Sequence, residues 1–478
     1  MAGKLTRREM LKRGVLAGAA LSIPFIHYRF AHAAGEIDPA TSRKFGAKLR
    51  GRLILPGDPQ YNSARKIWNP RYDKRPDMIV RCATTEDVAR SIEFARKKDL
   101  AVSIRAGGHD QAGFSTNDGG MVIDLRSLKE IQVDRTRKTV TAGGGVLVGE
   151  LYRAVAASGM GVVSGGCHSV GIGGLTLGGG QSFLSSKYGL ACDNVLSMQV
   201  VTADARVLST SENEHPDLFW ALRGGSGNFG VVTRFEYRLV PVNRVIAGAV
   251  TYPIAKRRET LRFFREFIAT APDELTGGAA FGFPLPVDTL AIAVAYCGSA
   301  KNAETILKPL RSFGPPLADS VKEVSFVEGV SEEEPPRLAN YEKDGLFSPL
   351  TDEMINAFCE GVENPPSIYQ AGVYELHGEA CRGTSAYPVR KPTFDSYTWG
   401  FWRSASERVR TIAWVDQLWS GIAEYADGAY VNDLDANEGE ARIRGAYGAS
   451  YDRLVALKNK YDPTNFFHLN QNIKPTAA

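Results

Sequence analysis

The sequence predicts an α/β (α+β) protein of two domains, and three observations carry that prediction. At 478 residues the chain exceeds what one core accommodates, so two domains of roughly 200 residues are the natural division. Residues 76–100 read as a short apolar strand, a Thr-Thr-Glu-Asp helix start and apolar positions at helical spacing, and residues 101–104 add a strand ending in a glycine turn. Strand, helix and strand leading into a glycine loop is a nucleotide-binding layout. Past Pro241 the texture changes: long amphipathic helices such as residues 257–271 alternate with strands such as residues 290–296.

Taken in order, the chain opens on a segment that stands apart from the fold. Residues 6–12, TRREMLK, form a twin-arginine export signature, followed by the modestly apolar residues 14–26 and the small-residue site Ala31-His32-Ala33. The apolar stretch, broken by Pro24, falls short of the roughly 20 residues that span a bilayer. An uncleaved anchor is the alternative. This segment carries Lys4, Arg7, Arg8, Lys12, Arg13 and Arg29 against Glu9, so removing it takes the formal charge from +4 to about −1. Without a basic excess, nucleic acid and anionic lipid are not expected partners, and no stable membrane span is expected in the mature form. Hydrophobic and charged fractions of 44% and 23% belong to a soluble globular protein. The six cysteines form no CxxC pair and no zinc spacing, so no metal is expected.

After the strand–helix–strand unit, the stretches MVIDL, EIQVD and TVTAGGG read as strands, and residues 149–159 restore helical periodicity. Residues 194–208 and 229–239 are further strands, with a helix at 216–222 between them, and residues 332–336 read as a surface loop. Two glycine-rich loops interrupt this order. Residues 103–110, SIRAGGHD, carry His109, and residues 164–180, SGGCHSVGIGGLTLGGG, carry Cys167. Glycine lets the chain approach a pyrophosphate closely, and consecutive N–H groups make an anion-binding nest. A His and a Cys inside such loops touch what the loops hold. Gly225-Ser226-Gly227-Asn228-Phe229-Gly230 satisfies GxGxxG, but a helix precedes it, a strand follows, and no acid sits near position 250. That inverts the dinucleotide order and excludes a nicotinamide fingerprint.

With residues 188–194, YGLACDN, and the closing stretches YDPTNFF and NQNIKP, the two loops resemble the FAD-linked oxidases of the berberine-bridge-enzyme-like branch of the vanillyl-alcohol-oxidase family, from about Tyr61 to Pro475. The resemblance implies a PCMH-type FAD-binding fold. It divides the chain into a signal peptide at 1–33, a FAD-binding domain at 34–244, a substrate domain at 245–424 built on an antiparallel sheet covered by helices, and a segment at 425–478 returning to the first domain. It also implies FAD bonded through both His109 and Cys167, in loops contributing Arg105, Ala106, Gly107, Gly108, Ser115, Gly166, Gly171, Gly173, Gly174, Gly178 and Gly179. Asp193, Gly230, Val232, Asn470 and Asn472 complete the implied cofactor set, with Val170 near the oxygen-reactive face. His168 departs from the family, which often has Pro there.

For catalysis the resemblance implies a small-molecule substrate whose CH–OH gives a hydride to flavin, with dioxygen or another acceptor reoxidising it, and a nearby base taking the hydroxyl proton. Strand alternation puts Glu375 and His377 on one face, and a family carboxylate matches Glu375. Residues 429–433, AYVND, match a tyrosine motif with Asp433 where its second Tyr is common. Tyr430, Glu375 and Asp433 are the base candidates. Alternation through residues 397–402 presents Tyr397, Trp399 and Phe401 beside the flavin. The readings this leaves are a sugar or alcohol oxidase, an oxidase of phenolic or alkaloid scaffolds, and a flavin-binding protein without turnover; the export machinery is an expected partner.

Overall fold

The computed structural model describes residues 37–331 and 334–476, so the expected export signature and cleavage site and part of the 332–336 loop lie outside the described residues. The first sheet comprises β1 (Arg52–Ile54), β2 (Met78–Arg81), β3 (Val102–Arg105) and β4 (Met121–Asp124), in the order β1-β2-β4-β3. β4 runs parallel to both β2 and β3, while β1 is antiparallel to β2. Parallel strands need a crossover, and α1 (Thr85–Lys98) supplies it between β2 and β3, leaving room for β4 between them. The Thr84 hydroxyl caps that helix by accepting from the Asp87 N–H, the buried Val88, Ile92 and Ala95 form its inward stripe, and Asp99 ends it in the left-handed region. The strand–helix–strand expectation holds.

The second sheet is antiparallel, ordered β5-β6-β9-β7-β8 from β5 (Ile131–Asp134), β6 (Thr139–Gly143), β7 (Val195–Val201), β8 (Val207–Ser211) and β9 (Val231–Arg238). Between β6 and β7 run α2 (Val148–Ala156) and α3 (Ile172–Gly178), separated by the Cys167 loop. Pro216–Leu222 is helical and precedes β9, so GSGNFG joins a helix to a strand.

A third, wholly antiparallel sheet carries β10 (Arg244–Pro253), β11 (Leu275–Gly282), β12 (Thr289–Tyr296), β13 (Ala318–Asp319), β14 (Lys322–Ser325), β15 (Ala339–Phe347), β16 (Ile368–Leu376) and β17 (Thr393–Trp402). Its order is β13-β10-β12-β11-β16-β17-β15, with β14 also on β10. Helices α4 (Arg257–Ala269), α5 (Asp352–Gly361) and α6 (Ala405–Ile422) cover one face, burying Phe264, Ile268, Phe358, Val415 and Leu418 with Leu275 and Ile292. The other face is left for the site.

The last helix, α7 (Tyr451–Tyr461), docks through a buried cation. Lys458 Nζ donates to the Asn228 carbonyl at 2.8 Å and the Phe467 carbonyl at 2.9 Å, and pairs with Asp462 at 2.8 Å. Asn228 donates onward to the Tyr447 hydroxyl and the Gln471 carbonyl and accepts from the Ile473 N–H. This knot fixes the GSGNFG turn to the closing residues.

Candidate functional site

The two glycine loops meet backbone to backbone. An alanine Cβ at Gly107 would stand 2.3 Å from the Gly171 N, and one at Gly171 would stand 2.2 Å from the Gly107 N. Only glycine at both places lets the loops close, and closing them brings His109 and Cys167 to the rim of one cavity of about 970 Å³. Trp68 stacks on the His109 ring at 4.2 Å between centroids, and burial pushes the imidazole down to about 4, so the ring is neutral near pH 7. Asp110 shapes the first loop by accepting from the Ala112, Phe114 and Ser115 N–H groups.

The opposite wall is the open face of the third sheet. On its β10–β12–β11 side most cavity-facing side chains are small, namely Ala247, Ala249, Gly278, Ala280, Ala291 and Ala293, with Val294 the larger exception. Beyond them, register pairs Gln370 with Trp399, Gly372 with Tyr397 and Tyr374 with Asp395, and Glu342 on β15 sits opposite Trp399. The Trp399 indole N–H donates to Asn340 Oδ1 at 2.9 Å, which also receives Asn69 Nδ2 at 2.9 Å. The floor is bare and the far wall is aromatic and acidic.

That wall gathers carboxyls in low dielectric. Asp395 Oδ2 accepts from Gln181 at 2.7 Å, while its buried Oδ1 has no partner. Burial, then the Asp344 charge, pushes Asp395 up to about 8. Burial pushes Glu342 well above the carboxylate range, helped by Asp433, Asp344 and Asp395. Asp344 rises to about 6 by burial, although Arg442 pairs with it at 3.0 Å and the Tyr430 N–H donates to it at 2.6 Å. The Tyr430 hydroxyl accepts from the Gly180 N–H and from Asn432, each at 2.8 Å, and burial raises it, so it keeps its proton.

A stability prediction follows from Asp395. Its folded value lies above the ordinary 3.8, so its contribution is complete below that pH and drains away as pH climbs toward 8. Asp395→Asn removes the cost of ionising the group in place. Its stability gain over the parent, followed by Tm, is expected to grow from pH 5 to pH 8, at up to about 1.4 kcal/mol per pH unit; a difference flat across that range would contradict it.

Of the residues expected from the sequence, Ala106, Gly107, Gly108, His109, Ser115, Gly166, Cys167, Val170, Gly171, Gly173, Gly174, Gly230, Val232, Tyr430, Asp433 and Asn470 border the cavity. Seven do not border it. Glu375 lies one residue off the cavity-facing set of β16 and pairs instead with His377 at 2.6 Å. Arg105 likewise alternates with Ile104 and Ala106 and turns into the core, donating to the Ala64, Lys66 and Ser115 carbonyls. Asp193 pairs with Arg390 at 2.8 Å and accepts from the Leu190 N–H. Gly178 and Gly179 make room for Asn432 and for Tyr387 with Tyr430. Asn472 is not among the lining residues, although its Oδ1 is buried without a partner, and Phe401 is buried behind Trp399. Glu342, Asp395, Gln181, Gln370 and Tyr374 were not singled out from the sequence; the signal that could have found the first is the polar alternation Asn340, Glu342, Asp344 on one strand. Among the described residues no disulfide joins the cysteines and no cluster could hold a metal ion.

Two features fit a flavin nucleotide. Ser115 Oγ and Asn470 Oδ1 are buried at the cavity without protein partners, a costly state that a polar ligand relieves. The Gly107–Gly171 contact also leaves backbone bare of side chains beside the cavity, which close approach of a pyrophosphate requires.

Comparison with known proteins agrees. Residues 76–211 match a family described as FAD binding domain, and residues 429–474 match one described as berberine and berberine like. (R)-6-hydroxynicotine oxidase of Paenarthrobacter nicotinovorans is 31% identical over 90% of this chain and 98% of its own length. The crystal structure of 6-hydroxy-D-nicotine oxidase from Arthrobacter nicotinovorans superposes with a TM-score of 0.82 at 27% identity, covering 89% of this chain and 98% of that one. The xylooligosaccharide oxidase from Myceliophthora thermophila C1, at 22% identity, TM-score 0.82 and coverage of 91% and 99%, shares the fold. Bare loops, unpartnered polar atoms and these matches lead to one assignment: the chain belongs to the berberine-bridge-enzyme-like family of FAD-linked oxidoreductases.

Proposed function

We propose that the protein is an exported oxidase that holds FAD covalently through His109 and Cys167, takes a hydride from the CH–OH of a sugar or other alcohol, and returns the electrons to dioxygen as hydrogen peroxide. The observation that carries this reading is that His109 and Cys167 share one cavity with the acidic and aromatic wall of β15–β17. In this reading residues 34–244 and 425–478 hold the cofactor, residues 245–424 present the substrate, and residues 1–33 direct twin-arginine export to the periplasm or beyond.

When bound, the flavin supplies the two-electron acceptor for a substrate hydride. The protein's part is placement and protons. Tyr397 and Trp399 offer flat faces for a ring, and the Ala/Gly floor leaves it room. Tyr430, protonated and already accepting two hydrogen bonds, is a donor toward the substrate oxygen. The base is a carboxylate of the wall, Asp433 or Asp395, and with Asp395 near 8 its share rises with pH through that value.

A second reading rests on the same wall. Among the described residues no Lys or Arg ion pair reaches Glu342 or Asp395, while Lys343 and Arg442 are spent on Glu438 and Asp344. Carboxyls that raise one another are relieved by a cation, which suits an amine-bearing heterocycle, and the relative named (R)-6-hydroxynicotine oxidase is consistent with that class.

The test has two arms. Acid-precipitated protein should stay yellow, and His109→Ala with Cys167→Ala should release the colour; colour lost from the parent would refute covalent linkage. A peroxide-coupled screen over sugars, aromatic alcohols and alkaloid amines separates the substrate classes. Silence on all of them, with flavin that still photoreduces, would favour a binding protein.

A further inference from the structure

Ser169 stands between a carboxylate and the attachment histidine. Its hydroxyl lies 2.6 Å from Glu334 Oε2 and 2.8 Å from His109 Nε2, and its N–H donates to Glu334 Oε1 at 2.8 Å. A serine has one hydroxyl hydrogen. Glu334, doubly engaged as an acceptor, takes that hydrogen, so Ser169 Oγ accepts from His109, and Nε2 must be the protonated nitrogen. The lone pair of the neutral ring is therefore on Nδ1. Stacking on Trp68 fixes the plane of the ring, and a neighbouring bond from His168 Nε2 to Ser331 at 2.5 Å ties the same loop to the segment that carries Glu334.

We propose that Glu334 and Ser169 are positioning residues for flavin attachment: they fix the tautomer of His109 that bonds through Nδ1 and receive its surplus proton. The inference rests on the covalent reading above. As the Nδ1–C8α bond forms, one C8α–H proton leaves to solvent, and the Nε2 proton passes to Ser169 as the Ser169 proton passes to Glu334. The two electrons of the broken C–H bond enter the isoalloxazine ring and are removed by a two-electron acceptor such as dioxygen, which with two protons gives hydrogen peroxide. Both charge and mass balance. Without the relay the bonded imidazole would remain cationic in a site that disfavours the charged ring.

The experiment follows attachment itself. In a full-length Cys167→Ala background, where only His109 can bond, the full chain is expressed under riboflavin limitation and supplied with FAD. Covalent flavin is then read by in-gel fluorescence after denaturation and by intact mass. Ser169→Ala and Glu334→Gln should slow attachment by roughly a hundredfold or more, the scale of proton-transfer catalysis, with noncovalent FAD affinity unchanged and Ser169→Thr restoring most of the rate. Parental attachment rates in both slow-predicted variants would overturn the relay while leaving covalent linkage intact. No covalent flavin in the Cys167→Ala parent would instead remove the His109 linkage, and the relay with it.

Discussion

Alanine at position 171 strips the protein of most of its flavin. The added Cβ would lie 2.2 Å from the Gly107 N and 2.8 Å from its Cα, and neither atom belongs to a side chain that can rotate away. The two loops must part, carrying His109 and Cys167 with them. Overpacking of this kind costs about 1–3 kcal/mol, and each 1.4 kcal/mol is about tenfold in affinity, so noncovalent FAD affinity should fall by roughly ten- to a hundredfold. The flavin-to-protein absorbance ratio of purified Gly171→Ala checks this, with Gly421→Ala as the control, since no atom lies within 4 Å of a Cβ there. Parental loading of Gly171→Ala, or equal loss in both, would contradict the loop contact.

The second large effect is on folding. Lys458→Met removes the cation from the knot that joins α7 to the GSGNFG turn and leaves Asp462, the Asn228 carbonyl and the Phe467 carbonyl short of a donor. Removing one partner of a buried pair typically costs about 3–5 kcal/mol. For a chain this long, where unfolding entropy scales with residue number, that lowers Tm by roughly 5 °C. A thermal scan read by tryptophan fluorescence is the measurement, and an unchanged Tm would show that the knot contributes little. Lys458 also lets Phe467 hold Asn470 Nδ2 at 3.0 Å, so flavin loading should weaken with stability.

The parts of this fold that were legible were those written in local pattern. Capped helix α1 between two apolar runs, alternation through β4 to β6, and the glycine loops around His109 and Cys167 all announce themselves within a dozen residues. Alternation also says which residues share a face, but not which face meets the cavity. Glu375 and Arg105 were lost to that ambiguity: each belongs to a strand that packs on both sides, and the neighbouring residues Tyr374 and Ile104 took the cavity. Glu342 and Asp395 escaped for a different reason. Acids are almost never fully buried unless paired, so a strand reading ANYEKDGLF suggests a wet surface, and only the pairing of β15, β17 and β16 reveals that its acidic side is enclosed.

The patch of alanines and glycines on β10, β11 and β12 has a consequence for how such a protein diversifies. None of those positions holds a proton-transfer group, and each presents a hydrogen or a methyl to the chamber, so swapping one for Val, Leu or Phe would redraw the outline of the acceptable guest while the reacting groups stay in register. Under the proposed function, guest size falls to these strands while the reacting groups sit on β17 and in the 430–433 turn, so a lineage can retailor the former without rebuilding the latter.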